Sequence, residues 1–225
     1  MSYSTTVVPG FSWSYSQLKN FETCPKRYYH YNVAKDIKEP ETDQLREGNA
    51  LHKHFENRVL HNTPLPLGYG QYEKMLAKVL SAEGKTYGEQ KLAMTGEFQP
   101  VAFFGRNVWF RTVLDCAKVR DTTAVVFDWK TGRPSHDITQ LQLMAATLFC
   151  HVPGLQRVKS ALVFVGHGIV EPAEFVRSDL TEIWSEILPR VARVAKARAA
   201  TDYPPTPSGL CKRYCAVTSC PHQGR

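Results

Sequence analysis

The chain has 225 residues, 43% of them hydrophobic and 22% charged, which is ordinary for a globular protein and enough for one well-buried domain. Its formal net charge of +7 and pI near 9.1 favour an anionic partner such as nucleic acid. No run of roughly 18 apolar residues offers a membrane span, and the opening MSYSTTVVPGFSWS lacks the basic and apolar regions of a secretory signal. The six cysteines are therefore expected in the cytoplasm, where disulfides are rare.

After a loose first ten residues, Ser12 or Ser14 caps a helix through Tyr15, Leu18 and Phe21 toward Cys24-Pro25. Pro25 opens a basic, aromatic segment, KRYYHY. Its Lys26, Arg27 and Tyr28, with Tyr29 and Tyr31, are candidates for phosphate contacts and base stacking on a nucleic-acid strand, and packing of the tyrosines beneath a clamp formed by the chain's cysteines is an equal alternative. A second helix over about 43–60 carries Leu45, Leu51, Phe55 and Val59 as its apolar stripe. The turn HNTPLPLGYG ends it, and QYEKMLAKVL is a third, short helix. From Glu89 the pattern changes to strands, at about 88–94, 97–104, 107–116 and 123–130. A buried helix follows over 137–150, with Asp137 or Thr139 at its start, and then a strand over 159–167. The segment 178–200 is helical, acidic early and basic late as the helix dipole favours, with Pro189 kinking or splitting it. The tail, YPPTPSGLCKRYCAVTSCPHQGR, is irregular and cysteine-rich. This order of elements describes an α/β fold with a mixed sheet.

The run Val125–Gly132, VVFDWKTG, carries the strongest chemical signal. If the hairpin pivots between Asp121 and Thr122, Asp115 lies directly across from Asp128, and opposed residues of an antiparallel pair share a face. Lys130, two residues on, shares it too. Two carboxylates and an ammonium on one spot are the layout of a metal-dependent phosphodiesterase. His52, four residues after Gly48 on the second helix, offers an imidazole ligand to the same ion. Gln140 opens the helix after Lys130, and Glu89 stands in the first strand. Each of these, taken alone, reads as an ordinary surface or core side chain.

Together they resemble the PD-(D/E)XK nuclease superfamily, in its RecB-like branch, over about residues 11–224. FSWSYSQLKNFETCPKRYY is similar to the branch's opening signature, REGNALH to its Gly-x-x-x-His and GEQKLA to its acidic first strand. VLD is similar to the first metal aspartate, FDWKTGR to Asp-x-Lys-Thr-Gly, and Asp137 to Gln140 to the start of the glutamine motif. The resemblance implies a restriction-endonuclease-like core, a central mixed sheet flanked by helices, in a single domain over 1–225. Residues 43–200 would form the nuclease core, and 1–40 with 201–225 a cysteine-cluster region. It implies His52, Asp115, Asp128 and the Trp129 carbonyl as ligands of Mg2+ or Mn2+. Lys130 would position and polarise the water, Gln140 would support that geometry, and Glu89 would orient Lys130 or the water. Hydrolysis would be in line, with the ion lowering the pKa of water and Lys130 countering charge on the phosphate. Two positions depart from the family: Thr112 stands for the usual Gly before the first aspartate, and Met144 for the Tyr that closes the glutamine motif.

Cys24 upstream and Cys211, Cys215 and Cys220 downstream resemble the ligands of a [4Fe–4S] cluster that ties the two ends of the chain together. Their spacing, C-x3-C-x4-C, departs from the family's C-x-x-C start, and nearby His222 makes a zinc site the alternative. Cys116 and Cys150 are expected as buried thiols. The expected activity is metal-dependent DNA hydrolysis, by an exonuclease acting on single strands or ends in recombination, repair or processing. A helicase or recombination partner would supply unwinding. The alternative is a silent DNA-binding scaffold of the same fold, against which the retained Asp115, Asp128 and Lys130 argue.

Overall fold

A computed structural model describes residues 11–38 and 40–225; the expected loose first ten residues lie outside them. The chain divides into two compact units, one of Thr42–Ile183 and one of Met1–Glu41 with Trp184–Arg225.

The first of these holds a six-stranded sheet, in the order β2-β1-β3-β4-β5-β6. Its strands are β1 (Lys85–Met94), β2 (Pro100–Val101), β3 (Phe110–Arg120), β4 (Thr123–Lys130), β5 (Arg157–Phe164) and β6 (Ile169–Val176). All neighbours are antiparallel except β4 and β5. A parallel pair needs a long crossover, and the helix Thr139–His151 supplies it. Asp137 caps that helix by accepting from the Thr139 N–H at 3.0 Å. The expected α/β architecture, a mixed sheet flanked by helices, is what the chain adopts.

The helix Asp43–His61 starts where the Thr42 hydroxyl accepts from the Leu45 N–H at 3.1 Å and ends at left-handed Asn62. Leu51 and Phe55 are buried with Leu76 and Val79 of the helix Glu73–Ser81, against Cys116, Trp129, Ala161 and Val163 of the sheet. Leu45, expected in the same stripe, is 43% exposed, because it lies in the first turn, ahead of the point at Gly48 where the helix meets Thr131. The Trp129 ring stacks parallel to Phe127 at 5.7 Å and takes the edge of Phe55 at 5.3 Å.

Three strand expectations change. The strand over 97–104 shrinks to two residues, since Thr95–Gln99 turns through left-handed Phe98 and a second turn closes between Ala102 and Gly105. β3 runs on to Arg120, because Lys118 is buried along its stem and its ammonium donates to the Leu80 carbonyl at 2.8 Å. β6 had no expected counterpart; it carries Pro172, whose missing N–H costs no ladder bond at a sheet edge.

The second unit contains α1 (Tyr15–Thr23), α2 (Pro25–Tyr28), a π-helical turn (Tyr29–Ala34), most of the helix Leu180–Ala200 and a short helix Leu210–Arg213. Ser14 caps α1 by accepting from the Gln17 N–H. Pro189 sits inside one helix that stays a single element. Glu22 receives two hydrogen bonds from Arg190, at 2.7 and 2.9 Å. The tail lies against the N-terminal helices: Tyr203 packs on Tyr29 at 4.8 Å, and the Ala216 N–H donates to the Tyr31 hydroxyl. Among the described residues no helix is long and apolar enough to cross a membrane.

Candidate active site

The site lies where the sheet forks. β3 and β4 pair from Arg120↔Thr123 to Cys116↔Phe127, and one further step sets Asp115 opposite Asp128. Beyond that point β3 continues along β1 to Phe110, whereas β4 continues along β5 to Lys130. The Asp115 side chain closes the open ladder by accepting the Trp129 N–H on Oδ2 at 2.8 Å.

Across the other edge of β3, Gly88 pairs with Cys116 and Gln90 with Leu114, leaving Glu89 opposite Asp115 without a ladder partner. Glu89 has a left-handed backbone, φ 44°, which costs a glutamate on the order of 1 kcal/mol or more. Glu89, Asp115 and Asp128 thus fall on one line across three adjacent strands. The helix Asp43–His61 adds His52, whose Nδ1 lies 3.3 Å from Asp115 Oδ1. Ligand atoms of His52, Glu89 and Asp115 all lie within 4.8 Å of one another, the one such group among the described residues. Gly48 permits this approach: a Cβ there would stand 3.0 Å from Thr131 Oγ1, directly after Lys130 on β4.

Gln140, in the first turn of its helix, bridges the remaining pair. Its amide donates to Asp128 Oδ1 at 2.7 Å, and its carbonyl accepts from Lys130 Nζ at 2.7 Å. Lys130 Nζ also forms an ion pair with Asp128 Oδ2 at 2.5 Å. That oxygen is buried without another partner, on a side chain only 3% exposed.

Burial raises the Asp128 pKa to about 6, with the Asp115 charge adding to it and the Lys130 and His52 charges opposing it. Glu89 is raised by burial and by the charges of Asp115 and Glu56. For His52 burial acts downward, but the hydrogen bond to Asp115 and the carboxylate charges outweigh it and the net shift is upward. Each direction records the same condition, more negative charge than the enclosed space stabilises by itself. Closely set, buried carboxylates beside an imidazole form an N/O donor set that fits a divalent cation.

Of the expected site residues, the structure gathers His52, Glu89 and Asp115 and sets Asp128, Lys130 and Gln140 beside them. The Trp129 N–H serves Asp115, and its ring points into the core. Met144 is fully buried within its helix, and Thr112 pairs with Leu92 in the β1–β3 ladder. Tyr28, expected as a base-stacking contact, is 2% exposed: its ring takes the edge of Phe21 at 5.4 Å, and its hydroxyl accepts from Arg198. The packing alternative describes it. The Arg27 guanidinium lies over the Tyr31 ring at 5.0 Å. Sequence reasoning gave no role to Glu56, one turn past His52, whose charge reaches Glu89; its spacing on the helix was the available signal.

The family model for the PD-(D/E)XK nuclease superfamily matches residues 12–221. Among solved structures, the chain is similar to the crystal structure of a protein from Eubacterium rectale provisionally named an exonuclease, with TM-score 0.50 and 14% identity over 89% of this chain and 85% of that one. It is also similar to the crystal structure of SSO0001, with TM-score 0.42 and 13% identity over 94% of this chain and 87% of that one. At 14% identity the likeness to the first of these speaks for the fold alone. No curated protein matches the chain.

Proposed function

Since the chain belongs to the PD-(D/E)XK nuclease superfamily, we propose that it is a divalent-metal-dependent deoxyribonuclease of the RecB-like branch, an exonuclease acting on single-stranded DNA or DNA ends. The observation that carries this reading is the line of Glu89, Asp115 and Asp128 across the fork, flanked by His52 and by Lys130. His52, Glu89, Asp115 and Asp128, with the Trp129 carbonyl, would hold the ion. Mg2+ or Mn2+ there supplies Lewis-acid charge and acidifies water. The protein's own part is positional. Lys130 presents an ammonium where negative charge grows on the phosphate, and Gln140 fixes it in place, so little reorganisation accompanies the reaction. The test is end-labelled DNA with Mn2+. Linear strands should be degraded, EDTA should stop the reaction, and a circular single strand should survive. Cleavage of the circle at the same rate would replace the exonuclease reading with an endonuclease.

The raised Asp128 pKa gives metal binding a pH dependence. In the metal-free fold the carboxyl holds its proton up to about pH 6, and an ion can bind only once it leaves. Apparent Mn2+ affinity should therefore rise steeply with pH below about 6 and keep rising beyond it until the His52 imidazole, whose pKa is raised as well, has also lost its proton. The raised pKa of His52 pulls the same way. Titration calorimetry between pH 5 and 8 reads this, and a flat profile would remove Asp128 and His52 from the ligand set.

The reading extends to a [4Fe–4S] cluster on Cys24, Cys211, Cys215 and Cys220. All four are half-buried free thiols in one compact unit. Two accept backbone N–H groups at 3.4 Å, Cys24 from Thr206 and Cys211 from Ser208. Protein purified without oxygen should be brown, absorb near ~400 nm and contain iron. A colourless preparation holding zinc and no iron would assign the thiols to zinc.

A further inference from the structure

Phe104 is 83% exposed, on a tight turn of defined geometry. The tight turn Ala102–Gly105 is closed by the Gly105 N–H donating to the Ala102 carbonyl at 2.7 Å, and a Cβ on residue 105 would stand 2.9 Å from that same carbonyl. Only glycine fits the turn. Behind Phe104 lies Phe103, at 5.0 Å and nearly perpendicular. Arg111 braces Phe103 twice: its guanidinium lies 5.7 Å from the ring centre, and its Nε donates to the Phe103 carbonyl at 2.7 Å.

Arg111 ties this turn to the carboxylates. It sits on β3 four residues before Asp115, and residues at such spacing share a face of a strand, about 13 Å apart. Lys91, exposed on β1 opposite Val113, lies between them, and its charge reaches Glu89. Arg106, next to the turn, is exposed as well. A basic track therefore leads from the fork to an exposed ring backed by Phe103. We propose that the Ala102–Gly105 turn is a stacking platform for an unpaired base of single-stranded nucleic acid, with Lys91 and Arg106 meeting the phosphates that run on to the carboxylate centre.

The chemistry selects this occupant. A protein partner needs a contiguous apolar patch, whereas Phe104, backed only by Phe103, is followed by Gly105, Arg106 and Asn107. A duplex hides its base faces, and only an unpaired base offers one to a protruding ring. The stretch of β3 from Arg111 to Asp115, about 13 Å, matches about four nucleotides at the B-form rise of ~3.4 Å, and fewer in a stretched strand. The inference rests on the nuclease reading for the direction of the track.

The experiment is fluorescence anisotropy with a labelled single strand of about 20 nucleotides and with a blunt duplex, both in EDTA. Phe104→Ala should weaken single-strand binding at least about fivefold, the lower end of what one stacked base contributes. Phe104→Trp should retain it, and duplex binding should change by less than about twofold. Equal losses on both DNAs, no loss on either, or no single-strand binding by the wild type would each overturn the platform. A change of oligomeric state in place of DNA affinity would assign the ring to a second copy of the chain and overturn it too. Because EDTA removes hydrolysis from the readout, the two readings fail separately. Absent cleavage beside Phe104-dependent binding sinks only the nuclease centre, and intact cleavage beside Phe104-independent binding sinks only the platform.

Discussion

Lys130→Met should lower DNA cleavage by about 10^2- to 10^3-fold, the usual loss when one preorganised positive donor is removed from a transition state. The side chain is suited to this test because its surroundings separate two roles. Its ammonium is held by the Gln140 carbonyl at 2.7 Å and faces Asp128, so it is aimed before substrate arrives. Methionine keeps the stem and deletes the charge. The deletion also acts on Asp128, whose pKa the lysine holds down against burial. Without it the carboxyl keeps its proton to still higher pH, and the pH at which Mn2+ affinity levels off should move upward. A catalytic lysine thus predicts a fall in kcat that persists at saturating Mn2+ and alkaline pH. A lysine that only tunes Asp128 predicts full recovery there. Single-turnover cleavage across pH 6–9 distinguishes them, and complete rescue would reduce Lys130 to a positioning residue.

What the sequence made legible follows from the range of the forces involved. The β3–β4 hairpin was readable because alternating apolar residues and a short polar turn set its register locally, and the pivot between Asp121 and Thr122 is the one the strands adopt. The helix Asp43–His61 was readable from its apolar stripe. The left-handed backbone of Glu89 was not, because neither Gly nor Asn marks the position and the reason for it lies across the sheet in Asp115. Gly48 appeared only as part of a motif; its purpose, clearance for Thr131, depends on two elements far apart in sequence. β6 was missed; the cost of its Pro172 depends on whether the strand is central or at an edge, a fact of topology. Tyr28 shows the same limit from the other side. A basic, aromatic run suits both a nucleic-acid surface and a packed helix, and the arrival of Arg198 and Tyr203 at that ring decides which.

Phe55→Ala should destabilise the protein by about 3–5 kcal/mol, the cost of deleting a fully buried aromatic ring and leaving a cavity. Phe55 is 0% exposed, and its ring meets Trp129 at 5.3 Å and Tyr72 at 5.5 Å, both edge to face. It therefore joins the helix Asp43–His61 to the strand that carries Asp128 and Lys130. For a chain of this length the melting temperature should fall by roughly 6–20 °C. Phe55→Leu, which refills part of the cavity, should lose less than half as much. The consequence for the site is specific, because the same helix places Gly48 against Thr131 and His52 against Asp115. At a temperature where Phe55→Ala is still folded, Mn2+ affinity should fall, since an imidazole no longer fixed by its helix must be ordered when the ion binds. Thermal melts with and without Mn2+ read both effects together. A melt within about 1 kcal/mol of wild type would mean that this contact does not hold the helix, and that the position of His52 is maintained from Gly48 instead.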